Sequence, residues 1–188
     1  IEFEGRVSLG MINKNLENFN LNGNVALIDA SVDFPEEVLN SYFGRLGTNR
    51  PVGPFVGTDG PDYGNNNLPT KRRLFDQPEW TVNADISYEL PDYGFRATLA
   101  YYAQSEVLTA VGSGSALTVD QYTSAYHQID FSLSKTFFDE RMELSIGIDN
   151  LTNSERGITY DDELIDNPPE RLSYTIGRTY SASLKYTF

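Results

Sequence analysis

The sequence predicts an all-β fold: an antiparallel meander of about seven strands forming part of the wall of a transmembrane β-barrel. Three observations lead there. Apolar and polar residues alternate with period 2 in seven segments, as in strands with one apolar and one polar face. The connections between those segments alternate between short and long, the layout of tight turns and extended loops on opposite sides of a membrane barrel. Aromatic residues make up 13% of the chain, with 12 Tyr and 11 Phe, and they close the apolar faces at their ends.

The strands follow in order. At 1–12, Ile1, Phe3, Val7 and Leu9 oppose Glu2, Glu4, Arg6 and Ser8. At 20–32, Leu21, Gly23, Val25 and Leu27 oppose Asn20, Asn22 and Asn24. At 79–90, Trp80, Val82, Ala84, Ile86 and Tyr88 oppose Thr81, Asn83, Asp85, Ser87 and Glu89. At 94–105, Phe95, Ala97, Leu99 and Tyr101 oppose Arg96, Thr98 and Tyr102. At 127–137, Ile129, Phe131 and Leu133 oppose Gln128, Asp130, Ser132 and Ser134. At 141–151, Met142, Leu144, Ile146 and Ile148 oppose Arg141, Glu143, Ser145 and Asp149. At 177–188, Tyr180, Ala182, Leu184, Tyr186 and Phe188 oppose Thr179, Ser181, Ser183, Lys185 and Thr187. The apolar faces so named carry no charge, as lipid contact demands.

The short connections are 13–19, 91–93 and 138–140; the long ones are 33–78, 106–126 and 152–176. The long ones carry turn chemistry, as in Thr58-Asp59-Gly60-Pro61-Asp62 and Asn65-Asn66-Asn67. Trp80 and Tyr88 stand eight residues apart on one face, as do Tyr180 and Phe188. Eight tilted residues rise roughly 20 Å, close to the height of an apolar band between two aromatic girdles. Trp80, Tyr88, Tyr180 and Tyr186 are the expected girdle residues.

Composition excludes several functions. With 27 acidic and 14 basic residues, the net charge of -13 opposes nucleic-acid binding and docking on an anionic cytoplasmic leaflet. Without cysteine there is no disulfide scaffold, thiolate metal site or Cys nucleophile, and one histidine, His127, makes no multi-His site. No cofactor is expected. No stretch is long and apolar enough for a membrane helix. Ile1-Glu2-Phe3-Glu4 does not open a signal peptide, so the chain reads as mature or as a piece of something longer.

Seven hairpin-linked strands leave the first and last parallel, and an all-antiparallel barrel does not close on an odd count. Open edges are also forbidden in lipid. The 188 residues average about 27 per strand, so 22 strands need about 590 residues. The expectation is one domain, 1–188, forming the C-terminal third of a 22-stranded barrel, with neighbouring strands at both edges. A complete small barrel is opposed by the odd count.

Several motifs resemble a known family. Tyr126-His127-Gln128-Ile129-Asp130-Phe131-Ser132-Leu133-Ser134-Lys135 is similar to the Asp-hydrophobic-Ser-hydrophobic-Ser strand of TonB-dependent outer-membrane receptors. Met142-Glu143-Leu144-Ser145-Ile146-Gly147-Ile148-Asp149-Asn150-Leu151-Thr152-Asn153 resembles their Asn-Leu strand ending. Gly177-Arg178-Thr179-Tyr180-Ser181-Ala182-Ser183-Leu184-Lys185-Tyr186-Thr187-Phe188 resembles their last strand, and Gln77-Pro78-Glu79-Trp80-Thr81 their approach to a strand. The likeness spans 77–188; residues 1–32 fit in pattern only. It implies a 22-stranded barrel with an N-terminal plug, in the outer membrane of a Gram-negative bacterium, long loops outside and C-terminus in the periplasm. It further implies import of a scarce nutrient, such as a ferric siderophore, haem, cobalamin or a carbohydrate, with energy delivered through TonB. The plug and the TonB-contacting segment are absent from this sequence. Expected partners are the remaining strands and plug, the TonB complex, the barrel-assembly machinery, outer-membrane lipid and lipopolysaccharide, and the nutrient. Phe188, with Tyr186, resembles the C-terminal signal read by the assembly machinery.

The candidate ligand residues lie in or beside the long connections. Lys71, Arg72 and Arg73 suit a carboxylate or phosphate, from a ligand or from lipopolysaccharide; a solvated or internally paired run is the alternative. Tyr63, Tyr122 and Tyr126 suit stacking on a sugar or an aromatic ligand. Glu155, Asp161, Asp162, Glu163, Asp166 and Glu170 read as a solvated face rather than a Ca²⁺ site, because their spacing matches no EF-hand. Asp130 and Asp149 share the polar side without a nucleophile motif, and catalysis is not expected. Arg178 reads as a rim charge paired with a nearby acid, His127 as structural, and Asn150-Leu151-Thr152 as a glycosylation sequon in form only. The competing reading is a soluble, Tyr-rich β-sandwich that binds carbohydrate; it needs Greek-key links, whereas hairpin order gives a meander.

Overall fold

The computed structural model describes residues 1–33, 71–110, 120–160 and 172–188. Seven strands form one antiparallel sheet: β1 (Glu2–Ser8), β2 (Phe19–Leu27), β5 (Trp80–Leu90), β6 (Phe95–Gln104), β9 (Tyr126–Phe137), β10 (Met142–Asp149) and β13 (Thr179–Tyr186). They lie side by side in chain order, a meander without a crossover. This is the predicted wall, strand for strand. The first strand is shorter than expected: residues 9–12 leave the ladder in a tight 3₁₀ turn (Leu9–Met11), followed by a second (Lys14–Leu16) capped by Asn13 Oδ1.

The long connections hold strands that the sequence pattern did not reveal. β3 (Ser31–Asp33) pairs with β4 (Lys71–Arg73), so the expected strand 20–32 is two strands separated by a break. β7 (Val107–Ala110), β8 (Gln121–Thr123), β11 (Glu155–Tyr160) and β12 (Leu172–Thr175) form a second sheet in the order β12-β11-β8-β7. That order repeats β13-β10-β9-β6 of the wall. Each hairpin therefore continues past the wall as an upper tier. These strands are three to six residues long, too short for periodicity to register.

The register aligns the faces. Phe3, Val25, Val82 and Ala103 stand in successive rows on one side, as do Leu21, Ile86, Leu99, Phe131, Ile148 and Tyr180. The other side carries Glu4, Asn24, Asn83 and Tyr102, and below them Arg6, Asn22 and Asp85. The expectation that the apolar side is free of charge needs one correction. Lys135 lies opposite Phe95 and Leu144, on the apolar side, because the alternation of β9 runs on past Leu133.

Nothing among the described residues covers the apolar side. Phe3 is 64% exposed, Leu184 66% and Tyr180 70%, and among the described residues the buried apolar side chains are few: Ala103, Val107, Leu108 and Tyr126. A β-sandwich would bury this face against a second sheet about 10 Å away. The small core instead sits where the wall meets the upper tier.

The short turns set the register at their end of the sheet. In the β5–β6 turn, Pro91–Tyr93 form a 3₁₀ turn closed by Gly94 at φ +58°. The Thr136 amide donates to the Gly94 carbonyl at 2.8 Å, and a Cβ on Gly94 would sit 1.8 Å from Thr136 Oγ1. Glycine is required there twice over, by conformation and by space. Gly94→Ala is expected to destabilise the folded barrel by more than the about 1–2 kcal/mol of a left-handed non-glycine residue. Adding Thr136→Ala should recover the steric part only. Urea unfolding of the receptor in detergent micelles measures both; equal stability of G94A and the parent would refute the contact.

Candidate functional site

The polar side of the wall and the junction with the upper tier hold the chemistry. At the β9–β10 end, Asn150 is 5% exposed with φ +56°. Its amide donates to Asp130 Oδ1 at 2.8 Å, and its side-chain Nδ2 donates to the Gly177 carbonyl at 2.9 Å. Its Oδ1 accepts from the Ser154 amide at 3.0 Å and from Thr152 Oγ1 at 3.2 Å. One asparagine thus ends β10, grips β9 and holds the approach to β13. Asparagine suits the post because its side chain tolerates the left-handed region and carries both a donor and an acceptor. Arg178 donates Nε to the Leu151 carbonyl at 2.9 Å. Its expected acidic partner is replaced by a backbone acceptor.

From this clasp a ladder of polar side chains runs along the inner face. Asp130 Oδ1 also accepts from Gln128 Nε2 at 2.5 Å. Tyr126 donates its hydroxyl to Gln128 Oε1, and Tyr102 donates to Gln104 Oε1 at 2.5 Å. The Tyr102 and Tyr126 rings lie 6.4 Å apart, and the Arg156 guanidinium stacks on Tyr126 at 4.1 Å from its centroid. Arg156 Nε is buried without a hydrogen-bond partner, and none of the ion pairs among the described residues includes this arginine. No sequence motif marks Arg156. A lone arginine between Glu155 and Gly157 gives no signal until the fold brings it over the Tyr126 ring.

Below the clasp, shallow grooves of about 340 and 370 Å³ follow small residues: Thr98, Ser132, Ser145, Gly147, Ser181 and Ser183. Asp130 and Asp149 stand at one end and Arg96 at the other. Asp130 is engaged by two donors, which suits a structural role. Among the described residues no cluster of three His, Asp or Glu side chains is placed to hold a metal.

The predicted ligand residues are dispersed. Lys71 pairs loosely with Asp33 at 3.8 Å, both exposed. Arg73 lies 3.1 Å from both Glu79 Oε1 and Glu106 Oε1, donates Nη2 to the Glu106 carbonyl at 2.8 Å, and stacks over Tyr122 at 5.6 Å. Its charge is spent on tying the β3–β4 pair to the start of the upper tier. Arg72 stands opposite Val32 in that pair. Tyr122 and Tyr126 are therefore each covered by a different arginine, and Tyr126 is only 5% exposed. Tyr63 and the acidic residues 161–170 lie outside the described residues. Trp80 and Tyr180 sit on the apolar face at the upper-tier end, Tyr88 and Tyr186 on the same face at the short-turn end. Phe188 packs edge-on against Tyr186 at 5.0 Å.

A family model described as TonB dependent receptor-like, beta-barrel matches residues 1–151. The chain belongs to this family. The match takes in 1–32, where the sequence alone offers only pattern, and it ends at Leu151, within the Asn150 clasp. The kinship of the last strand rests on its motif and its place beside β10. Proteins of this family are outer-membrane transporters of Gram-negative bacteria and not enzymes. Neither the comparison with curated proteins nor that with solved structures returned a match.

Asn150→Ala should cost about 3 kcal/mol, since it strands the buried Ser154 amide and the Gly177 carbonyl and places alanine at positive φ. Asn150→Gly should cost about 1 kcal/mol less, because only the side-chain bonds are lost. The temperature at which the folded band is lost in semi-native electrophoresis orders the three proteins; identical temperatures would sink the clasp.

Proposed function

We propose that this chain forms the C-terminal wall of an outer-membrane active transporter that captures a scarce nutrient outside the cell and imports it with TonB-delivered energy. One observation carries the reading: an apolar face interrupted only at Lys135, which nothing among the described residues covers, backs a face of small and polar residues. Lipid is the partner that such an outer face needs, and a water-filled or plugged lumen is the partner of such an inner face. The upper tier faces outward, the short turns and Phe188 face the periplasm, and further strands of a barrel of about 22 pair with β1 and β13. Trp80 and Tyr180 form part of the outer girdle, Tyr88 and Tyr186 part of the inner one.

The ligand, a ferric siderophore, haem, cobalamin or carbohydrate, meets Tyr63, Lys71 and Arg72 on its way in, while Arg73, Tyr122 and Tyr126, already engaged with one another's segments, brace the mouth. A plug occupies the lumen and contacts TonB, Phe188 guides the barrel-assembly machinery, and lipopolysaccharide surrounds the outer rim.

Intact-mass analysis of the polypeptide carrying this sequence, extracted from outer membranes in mild detergent, should give about 70–100 kDa. A detergent-free, soluble 21.1 kDa protein would overturn the reading. Within the receptor, Ile146→Arg should destabilise the barrel by about 2–4 kcal/mol as a charge in the lipid midplane. The adjacent inner-face Ser145→Arg should cost far less. Equal effects would remove the assignment of faces.

A further inference from the structure

We propose that Lys135 is a binding site for the phosphate of a membrane phospholipid, in the leaflet at the short-turn end of the wall. The inference rests on the membrane reading above. In the seven-stranded ladder, the apolar side runs from Phe3 on β1 to Tyr186 on β13, and Lys135 is its one formally charged side chain. A cation facing hydrocarbon is costly and is kept where it reaches a polar partner at the interface.

Its depth is that of the interface. Lys135 stands two residues before the end of β9, level with Phe95 on one neighbour and Leu144 on the other. Phe19, Tyr88, Phe95, Phe137 and Tyr186 form an aromatic row at this end, with Phe19 and Tyr88 4.7 Å apart and Tyr88 and Phe95 6.3 Å apart. Tyr93 and Phe138 project from the two adjoining turns, 68% and 70% exposed. Aromatic rings of this kind settle at the headgroup level of a bilayer.

Its charge is available. Nζ lies over the Phe137 ring, 5.5 Å from the centroid, and donates to the Tyr93 carbonyl. An ammonium has three N–H groups, so two remain. The adjoining turns carry Asp92, Asp139 and Glu140, yet Lys135 is in none of the ion pairs formed by the described residues. An anion supplied from the lipid side completes the site: the phosphate takes the two free donors while its acyl chains lie along Leu133, Leu144 and Phe95.

The test uses the receptor purified from outer membranes in mild detergent. After delipidation, phosphatidylglycerol and a diacylglycerol with the same acyl chains, which lacks the phosphate, are titrated separately and bound lipid is counted by native mass spectrometry. The parent protein is expected to hold phosphatidylglycerol in preference to diacylglycerol. Lys135→Met should weaken that binding about five-fold, and Lys135→Arg should retain it. A parent protein with no preference overturns the proposal whether or not the variants fold, as does undiminished phosphatidylglycerol binding in a folded, heat-modifiable K135M. A protein that leaves the membrane without detergent removes the membrane reading itself, which is a distinguishable failure.

Discussion

The register of the seven-stranded ladder is the constraint on which the rest of the molecule depends. Side chains alternate with period 2, so a slip of one residue between two strands would send every apolar side chain of one strand to the inner face. In an apolar surrounding, each strand must also satisfy its backbone groups through its neighbours. Two local devices pin the ladder at opposite ends. At one end the Gly94 carbonyl receives the Thr136 amide across β6 and β9. At the other, Asn150 ties Asp130 and Gly177 to the end of β10. β9 is held by both, and its neighbours take their register from it.

The upper tier obeys a different rule. Its strands are short and its faces mixed, so packing and charge decide its arrangement. Arg73 draws Glu79 and Glu106 together, and Arg73 and Arg156 cover Tyr122 and Tyr126. In a chain of net charge -13 the cations act as ties between acidic and aromatic segments. This is why the basic run at 71–73, for which the sequence leaves both an anion site and an internally paired run open, is in part closed on the protein itself. Arg156, which no motif marks, keeps its guanidinium stacked on the Tyr126 ring.

The resemblance motifs acquire a mechanical meaning. Asp130 of the Asp-hydrophobic-Ser strand and Asn150 of the Asn-Leu ending are bonded to each other, 20 residues apart in sequence. One supplies a carboxylate oxygen and the other a backbone amide freed by the left-handed turn. The two pieces are halves of one joint.

The sequence by itself determined the wall: seven strands, their order, their faces and the alternation of turns. Long strands with one uniform face write their period into ten residues at a time, and hairpin connections leave no choice of neighbour. Lys135 lies past Leu133, where the apolar run of β9 is interrupted by a charge, and only the cross-strand register places it among apolar residues. Tertiary structure alone decided the upper tier, the partners of Arg73 and Arg178, and the burial of Tyr126. Those features arise from strands of three to six residues and from contacts between segments far apart in the chain. No local period records them, because the energy that selects them exists only once the hairpins stand side by side.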